Sequence, residues 1–203
     1  IAINNKKKVQ GEATLFIDNN LKVKFIKGEN TNNKITYNKD IKQNKIFYGI
    51  GFDVHRLVPR RKLYLGGLKI KSNLGTLGHS DGDPVLHAIT DSILGACNMG
   101  DIGQKFSDKS KKYKNIRSTI LLKKVINEIK LKNYYINNLD INIITQTPKI
   151  SKLKNKMTQL ISTICEIQNN QINIKGKTTE KLGVIGKEKA VASEAITSMT
   201  RYE

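Results

Sequence analysis

Ile46-Phe47-Tyr48-Gly49-Ile50-Gly51-Phe52-Asp53-Val54-His55-Arg56-Leu57 is where the texture of this 203-residue chain changes. Upstream, residues 1–46 hold ten Lys and nine Asn against four acidic residues, and apolar positions such as Leu15, Phe16, Val23 and Phe25 build no sustained run. From Ile46 the chain turns apolar and aromatic with interspersed glycines, which reads as a strand opening a folded domain. The expected division is an extension over residues 1–46 and a domain over 47–203.

Downstream, residues 62–70 form a second extended piece that Gly66-Gly67 breaks into a hairpin arm. Asp83-Pro84 places an N-cap and a first-turn proline ahead of Val85, Leu86, Ile89, Ile93 and Leu94, which predicts a helix ending near Asn98. A second helix is expected over about 116–131 from the spacing of Ile116, Ile120, Leu121, Val125 and Ile129. Isoleucines on both parities make 139–145 a buried strand, Pro148 stops it, and 151–167 reads as a third helix. Residues 172–175 and 190–199 complete the set as strands. This order implies an α+β fold, a sheet with helices packed on one face.

A length of 203 residues suits one domain with a real core. The balance of 36 basic against 17 acidic residues, a net +19, would attract polyanions, yet the lysines are scattered, as on a solvated surface. Cys97 and Cys165 stand far apart without CxxC spacing and read as buried small apolar residues. No apolar stretch approaches the roughly 20 residues of a transmembrane helix, so no membrane partner is expected. Because the chain starts at Ile1, a processed or truncated form is expected. The Lys- and Asn-rich leader fits the end of an organelle-targeting region, and a compositionally biased genome would write the same letters.

All three histidines fall between positions 55 and 87, beside Asp53, Asp81, Asp83 and Asp91. In Asp53-Val54-His55 the two polar side chains share one face of a strand, while Val54 turns away into packing. His87 lies one turn into the next helix. A lone histidine on an apolar helix face is more often a satisfied core residue than a ligand. With the Asp-x-His pair upstream, the three donors suit a tetrahedral Zn²⁺ with one open position. Asp91, four residues on, is placed to accept the other ring N–H of His87; otherwise it is a surface carboxylate. The run Gly78-His79-Ser80-Asp81-Gly82-Asp83-Pro84 suits a phosphate at a helix start, and equally a simple capping turn. Lys177-Thr178-Thr179-Glu180-Lys181 offers hydroxyls for phosphate and a carboxylate for Mg²⁺, and Lys149 beside Pro148 a cation in a rigid turn.

Read together, Gly51 to His55, His79 to Asp83 with Leu86-His87-Ala88, Asp101-Ile102-Gly103 with Phe106 and Asp108, and Thr179 to Gly183 resemble the cyclodiphosphate synthase family of the non-mevalonate isoprenoid pathway. The resemblance runs from about Phe47 to the C-terminus. It implies conversion of 4-diphosphocytidyl-2-C-methyl-D-erythritol 2-phosphate to the 2,4-cyclodiphosphate with release of CMP, on a mixed sheet assembled as a homotrimer with active sites at subunit interfaces. By the same resemblance Asp53, His55 and His87 hold Zn²⁺, Glu180 helps hold Mg²⁺ or Mn²⁺, and His79 and Thr178 stabilise the transition state. Ser80, Asp101, Ile102, Gly103, Phe106, Ser107, Asp108, Lys109 and Ser110 would surround the methylerythritol phosphate. Thr145, Gln146, Thr147, Pro148, Lys149, Ile150, Ser151, Thr178 and Thr179 would form the cytidine pocket, and Lys177, Val184 and Lys187 are further substrate-binding candidates.

The chain departs from the family pattern at Lys177, Ser107, Val184 and Lys187. Lys187 would line the trimer axis, where some relatives hold an isoprenoid diphosphate; lysine keeps the charge and loses the bidentate fork. Pathway context and the basic leader imply a plastid-type organelle, apicoplast or chloroplast, with the bacterial cytoplasm as the alternative. Two rival readings are a zinc hydrolase built on the same three ligands and a basic nucleic-acid-binding module. The absence of Trp and the dispersed charge speak against the module, so no nucleic-acid partner is expected.

Overall fold

The structure is a computed structural model that describes residues 45–202, together with Phe16, Ile17, residues 19–22 and Lys24. The chain divides into two compact units, residues 1–43 and 44–203. Apart from those few positions, the expected extension over 1–46 lies outside the described residues; Lys45 and Ile46 already belong to the first strand.

In the second unit, β1 (Lys45–Pro59), β2 (Leu63–Leu65), β3 (Leu68–Ile70) and β4 (Leu74–Thr76) precede helix α1 (Pro84–Ala96). The short α2 (Ile102–Lys105) and α3 (Ser118–Leu131) lead to β5 (Tyr134–Ile144), followed by α4 (Lys154–Cys165), β6 (Ile172–Lys177), the single turn α5 (Gly183–Gly186) and β7 (Ala190–Arg201). Five strands form a sheet in the order β4-β1-β7-β5-β6, antiparallel except for the β5–β6 pair, so the sheet is mixed. The β2–β3 hairpin stands apart, turning at Gly66 and Gly67, both in the left-handed region that glycine adopts without strain. The expected elements all occur; β5 starts five residues earlier than its isoleucines suggested, at Tyr134.

The core is aliphatic and lies between the sheet and α1, α3 and α4, with Leu86, Ile89, Ile93, Leu122, Ile126, Ile141, Ile143 and Met157 fully enclosed. Cys97 and Cys165 are buried free thiols, as expected; burial pushes their pKa values up to about 11 and about 12. Among the described residues no helix is long and apolar enough to cross a membrane.

Alternation along β1 decides where the chemistry goes. Its odd positions face α1. A Cβ on Gly49 would lie 2.0 Å from the Ser92 carbonyl oxygen, and one on Gly51 2.0 Å from that of Ala88, so the helix rests directly on strand backbone. Two strand residues advance about 7 Å and one helical turn about 5 Å in the opposite sense, so the next odd position, Asp53, meets the first turn of α1. We expect Gly51→Ala to force helix and strand apart, lowering stability by about 1–3 kcal/mol, the usual range for overpacking. Urea unfolding measures this, and an unchanged midpoint would show that the close approach is not needed.

The even positions face the other way. Ile46, Tyr48, Ile50, Phe52 and Val54 are about half exposed or more, as is Ile196 on the adjoining β7. Val54 therefore does not turn into packing among the described residues, where no helix covers that side of β1.

Candidate metal centre and its cleft

Asp53 and His55 leave the helix-facing side of β1 just beyond the N-terminal end of α1, and His87 comes down from its first turn. The Asp53 Oδ2 atom lies 2.8 Å from His87 Nδ1 and 2.9 Å from His55 Nε2, with the two nitrogens 3.2 Å apart. Among the described residues this is the one set of three or more His, Cys, Asp or Glu side chains whose ligand atoms converge within 4.8 Å. Tetrahedral zinc at about 2.0–2.1 Å from each donor needs donor separations of about 3.3 Å, so small adjustments seat an ion.

Helix position follows from Asp83. Its buried carboxylate caps α1 by accepting from Val85 N and Leu86 N, and also accepts from Gly66 N at 3.0 Å and Gly67 N at 2.6 Å. One side chain thus ties the β2–β3 turn to the start of the helix that carries His87.

Electrostatics favour a cation here. Burial works against the ionised form of Asp53, but hydrogen bonds and charge from His55 and His87 outweigh it and hold its carboxyl well below the usual carboxylate range. Burial likewise opposes a charged His55, yet the bond and charge of Asp53, with the Leu77 carbonyl, raise its pKa. His55 Nδ1 lies 2.9 Å from Leu77 O, an acceptor that can only take a proton, so in neutral His55 the Nε2 lone pair is left for the cluster.

The cluster opens into a cleft of about 350 Å³ lined by His55, His79, Ser80, His87, Ile102, Gly103, Phe106 and Asp108, with Tyr113 and Leu121 behind. His79 is oriented by its Nε2, 3.2 Å from Ser110 O. Asp101 caps α2 through Gln104 N, and Phe106 packs edge-on against Tyr113. Ser107, Lys109 and Ser110 belong to the same loop but are not among the residues lining this cleft.

A separate cleft of about 310 Å³ is lined by Thr145, Gln146, Pro148, Lys149, Ile150, Ser151, Lys154, Gly176, Lys177 and Thr178. The two share no residue. Thr147 is turned away to donate to Glu188, and Thr179 donates to Leu182 O. Glu180 is exposed and accepts from the Thr178 hydroxyl at 2.6 Å; it does not join the three-residue cluster. Val184 and Lys187 are exposed on or beside α5. Within one chain, then, His79 and Thr178 lie in different clefts, and Glu180 lies outside the cluster.

Asp91 does not pair with His87 as expected. Its carboxylate accepts from Ile102 N at 2.7 Å, while the outer nitrogen of His87 faces Ser118 Oγ at 2.9 Å and Ser80 Oγ at 3.1 Å. Ser118, 31 positions from His87, carried no local signal; in sequence it is simply the start of a helix.

Sheet, seated helix and converged donors define an α+β protein with a carboxylate–imidazole cluster, able to hold a metal ion, that opens into a cleft. The YgbB family profile matches residues 46–200, and the chain belongs to that family. It is 66% identical over 201 residues to "Bifunctional enzyme IspD/IspF" of Pelagibacter ubique, a match covering 98% of this chain and 54% of the relative. It is 49% identical over 148 residues to "2-C-methyl-D-erythritol 2,4-cyclodiphosphate synthase" of Caldicellulosiruptor bescii, covering 73% of this chain and 94% of that one. The solved structure "IspF (Plasmodium falciparum) CDP complex" superposes with TM-score 0.70 at 42% identity, over 80% of this chain and all of that one. The chain spans about half the length of the bifunctional relatives it matches. Both curated relatives described are bacterial, which supports the bacterial alternative and not the plastid reading.

Proposed function

We propose that this chain catalyses ring closure of 4-diphosphocytidyl-2-C-methyl-D-erythritol 2-phosphate to 2-C-methyl-D-erythritol 2,4-cyclodiphosphate, with release of CMP. The observation that carries this reading is the Asp53–His55–His87 cluster opening into a cleft in a chain of this family. An oxygen of the substrate's 2-phosphate attacks the diphosphate phosphorus nearest the erythritol, and the bond from that phosphorus to the CMP oxygen breaks. Attacker and target share one molecule, so the protein's work is to fold the substrate and hold the phosphates in line. No nucleophilic side chain is needed.

Zn²⁺ held by Asp53, His55 and His87 would supply Lewis-acid neutralisation of phosphate charge, aided by Mg²⁺ or Mn²⁺ near Glu180. His79, fixed against Ser110 O, lines the cleft where the transferring phosphoryl group would lie. Ile102, Gly103, Phe106 and Asp108 enclose the methylerythritol part. The Thr145–Ser151 cleft takes the cytidine; a relative solved with CDP supports a nucleotide pocket in this family.

Because the two clefts share no residue and the even face of β1 is apolar and uncovered among the described residues, we infer a homotrimer in which the metal cleft of one chain meets the nucleotide cleft of its neighbour. Mixing separately inactive His87→Ala and Thr178→Ala chains, unfolded and refolded together, should restore CMP release. One interface in a random mixed trimer then carries both intact halves, giving roughly a quarter of wild-type activity. Activity that stays at background after mixing would place both halves in one chain and sink the interface reading.

Residues 1–44 precede the family match yet fall within the match to the bifunctional relative. This supports reading them as part of a neighbouring module rather than a targeting leader.

A further inference from the structure

We propose that Ser118 and Asp81 set the tautomer of His87, forming with Arg117 a relay that turns the ring's inner nitrogen into a metal ligand. The inference rests on the metal site proposed above. His87 Nδ1 faces Asp53 and His55, so it can ligate a cation only as a lone pair, which requires the single ring proton to sit on Nε2. Without a cation the Asp53 carboxylate accepts from Nδ1; once a cation takes that position the ring proton must be held at Nε2, and what Nε2 meets decides how well it is held.

It meets the hydroxyl oxygens of Ser118 and Ser80. A hydroxyl is ambiguous, since it can donate or accept, and Ser118 alone would favour neither tautomer. The Asp81 carboxylate removes the ambiguity. Ser118 Oγ donates its one proton to Asp81 Oδ1 in a short contact, so the oxygen it turns to His87 can only accept. Ser80 Oγ already accepts from Gly82 N at 3.2 Å, which leaves its proton unassigned and makes Ser118 the discriminating partner.

Asp81 is in turn fixed. Its Oδ1 also accepts from Ser118 N at 3.1 Å, and its Oδ2 accepts from Arg117 Nε at 2.8 Å. The guanidinium cannot drift: Nη2 donates to Gly67 O at 2.8 Å and the plane sits 4.1 Å from the Tyr64 ring centroid. The Asp81 side chain is only 4% exposed, and this ion pair keeps its charge in place. Proton direction thus runs from His87 Nε2–H to Ser118 Oγ, and from Ser118 O–H to Asp81. His55 reaches the same state by a different route, through Leu77 O. Ser118 and Asp81 are positioning residues, since they act on the metal only through the ring.

The test uses ¹⁵N-histidine-labelled full chain loaded with zinc, read by NMR at neutral pH, with zinc affinity then measured against a chromophoric chelator. Wild-type His87 should show a metal-bound Nδ1 and a hydrogen-bonded Nε2–H. In Ser118→Ala the shift of that Nε2–H should change, and zinc affinity should fall about 10–100-fold, the usual cost of losing an outer partner of a ligand. His55, whose Nδ1 is held by Leu77 O, should keep its shifts in the same sample, which a general loosening of the site would not allow. In Asp81→Asn, Arg117 holds the amide oxygen and the amide nitrogen faces Ser118. The hydroxyl proton then turns to His87 and opposes the Nε2–H, so zinc affinity should fall there as well. Unchanged His87 shifts and zinc affinity in both variants would overturn the proposal, as would equal changes at His55 and His87.

Discussion

Replacing His87 with alanine is expected to remove the metal and the reaction together. Three donors converge within hydrogen-bonding distance of one another, and the open side faces the cleft, so losing one leaves a carboxylate and a single imidazole. Outer partners of metal ligands are worth about 10–100-fold in affinity, and a direct ligand should cost more than that. Zinc content after dialysis should drop from about one ion per chain to near zero, and CMP release should fall by more than about 100-fold in parallel. The fold should survive, since the hydrogen bonds of the His87 ring among the described residues go only to side chains and Asp83 still caps the helix. If His87→Ala kept its zinc, the cluster would not be the metal site, and if it lost zinc but kept activity, the ion would be structural.

Asp83→Ala should produce the largest loss of stability of any single change discussed. The carboxylate is fully buried and satisfies four backbone N–H groups, those of Gly66, Gly67, Val85 and Leu86. Alanine leaves these donors without their partner, at about 1–3 kcal/mol for each that stays buried, and also removes the helix cap. Partial relaxation and water entry will recover some of this, so a net loss of about 3–5 kcal/mol is expected, against the 5–15 kcal/mol that holds a typical domain together. Asp83→Asn keeps one oxygen and should lose less. Urea unfolding of the two variants at one protein concentration makes the comparison. Equal and small losses would mean that Asp83 is only an N-cap, not the tie between the β2–β3 turn and α1.

Much of this site was legible because it is local. Asp53 and His55 share a strand face by parity, and Asp83-Pro84 marks the helix start that puts His87 in its first turn. The strands and helices followed from apolar period and from Gly and Pro. What could not be read depends on long-range approach. Gly49 and Gly51 read only as part of a strand, whereas they are the bed on which α1 lies, and only the packed helix shows it. Asp91 was favoured as the partner of His87 because residues four apart share a helix face. The ring, however, extends toward β1 on one side and α3 on the other, while Asp91 is occupied by Ile102 N. Val54 is expected in packing because it turns away from Asp53 and His55, and on β1 nothing among the described residues covers that second face. Thr178 and Glu180 enter the site only through the resemblance, which implies a site shared between subunits; in the chain they stand just beyond the end of β6, with Thr178 in the other cleft.

The proposed reaction is tested most directly by phosphorus NMR of the protein with Mg²⁺ and 4-diphosphocytidyl-2-C-methyl-D-erythritol 2-phosphate, before and after zinc is chelated. The expected result is a pair of coupled cyclic diphosphate resonances growing in step with CMP, absent after chelation and restored by added zinc. Open-chain phosphates in place of the cyclic product would identify a zinc hydrolase instead, and intact substrate in the zinc-loaded protein would contradict the assignment altogether.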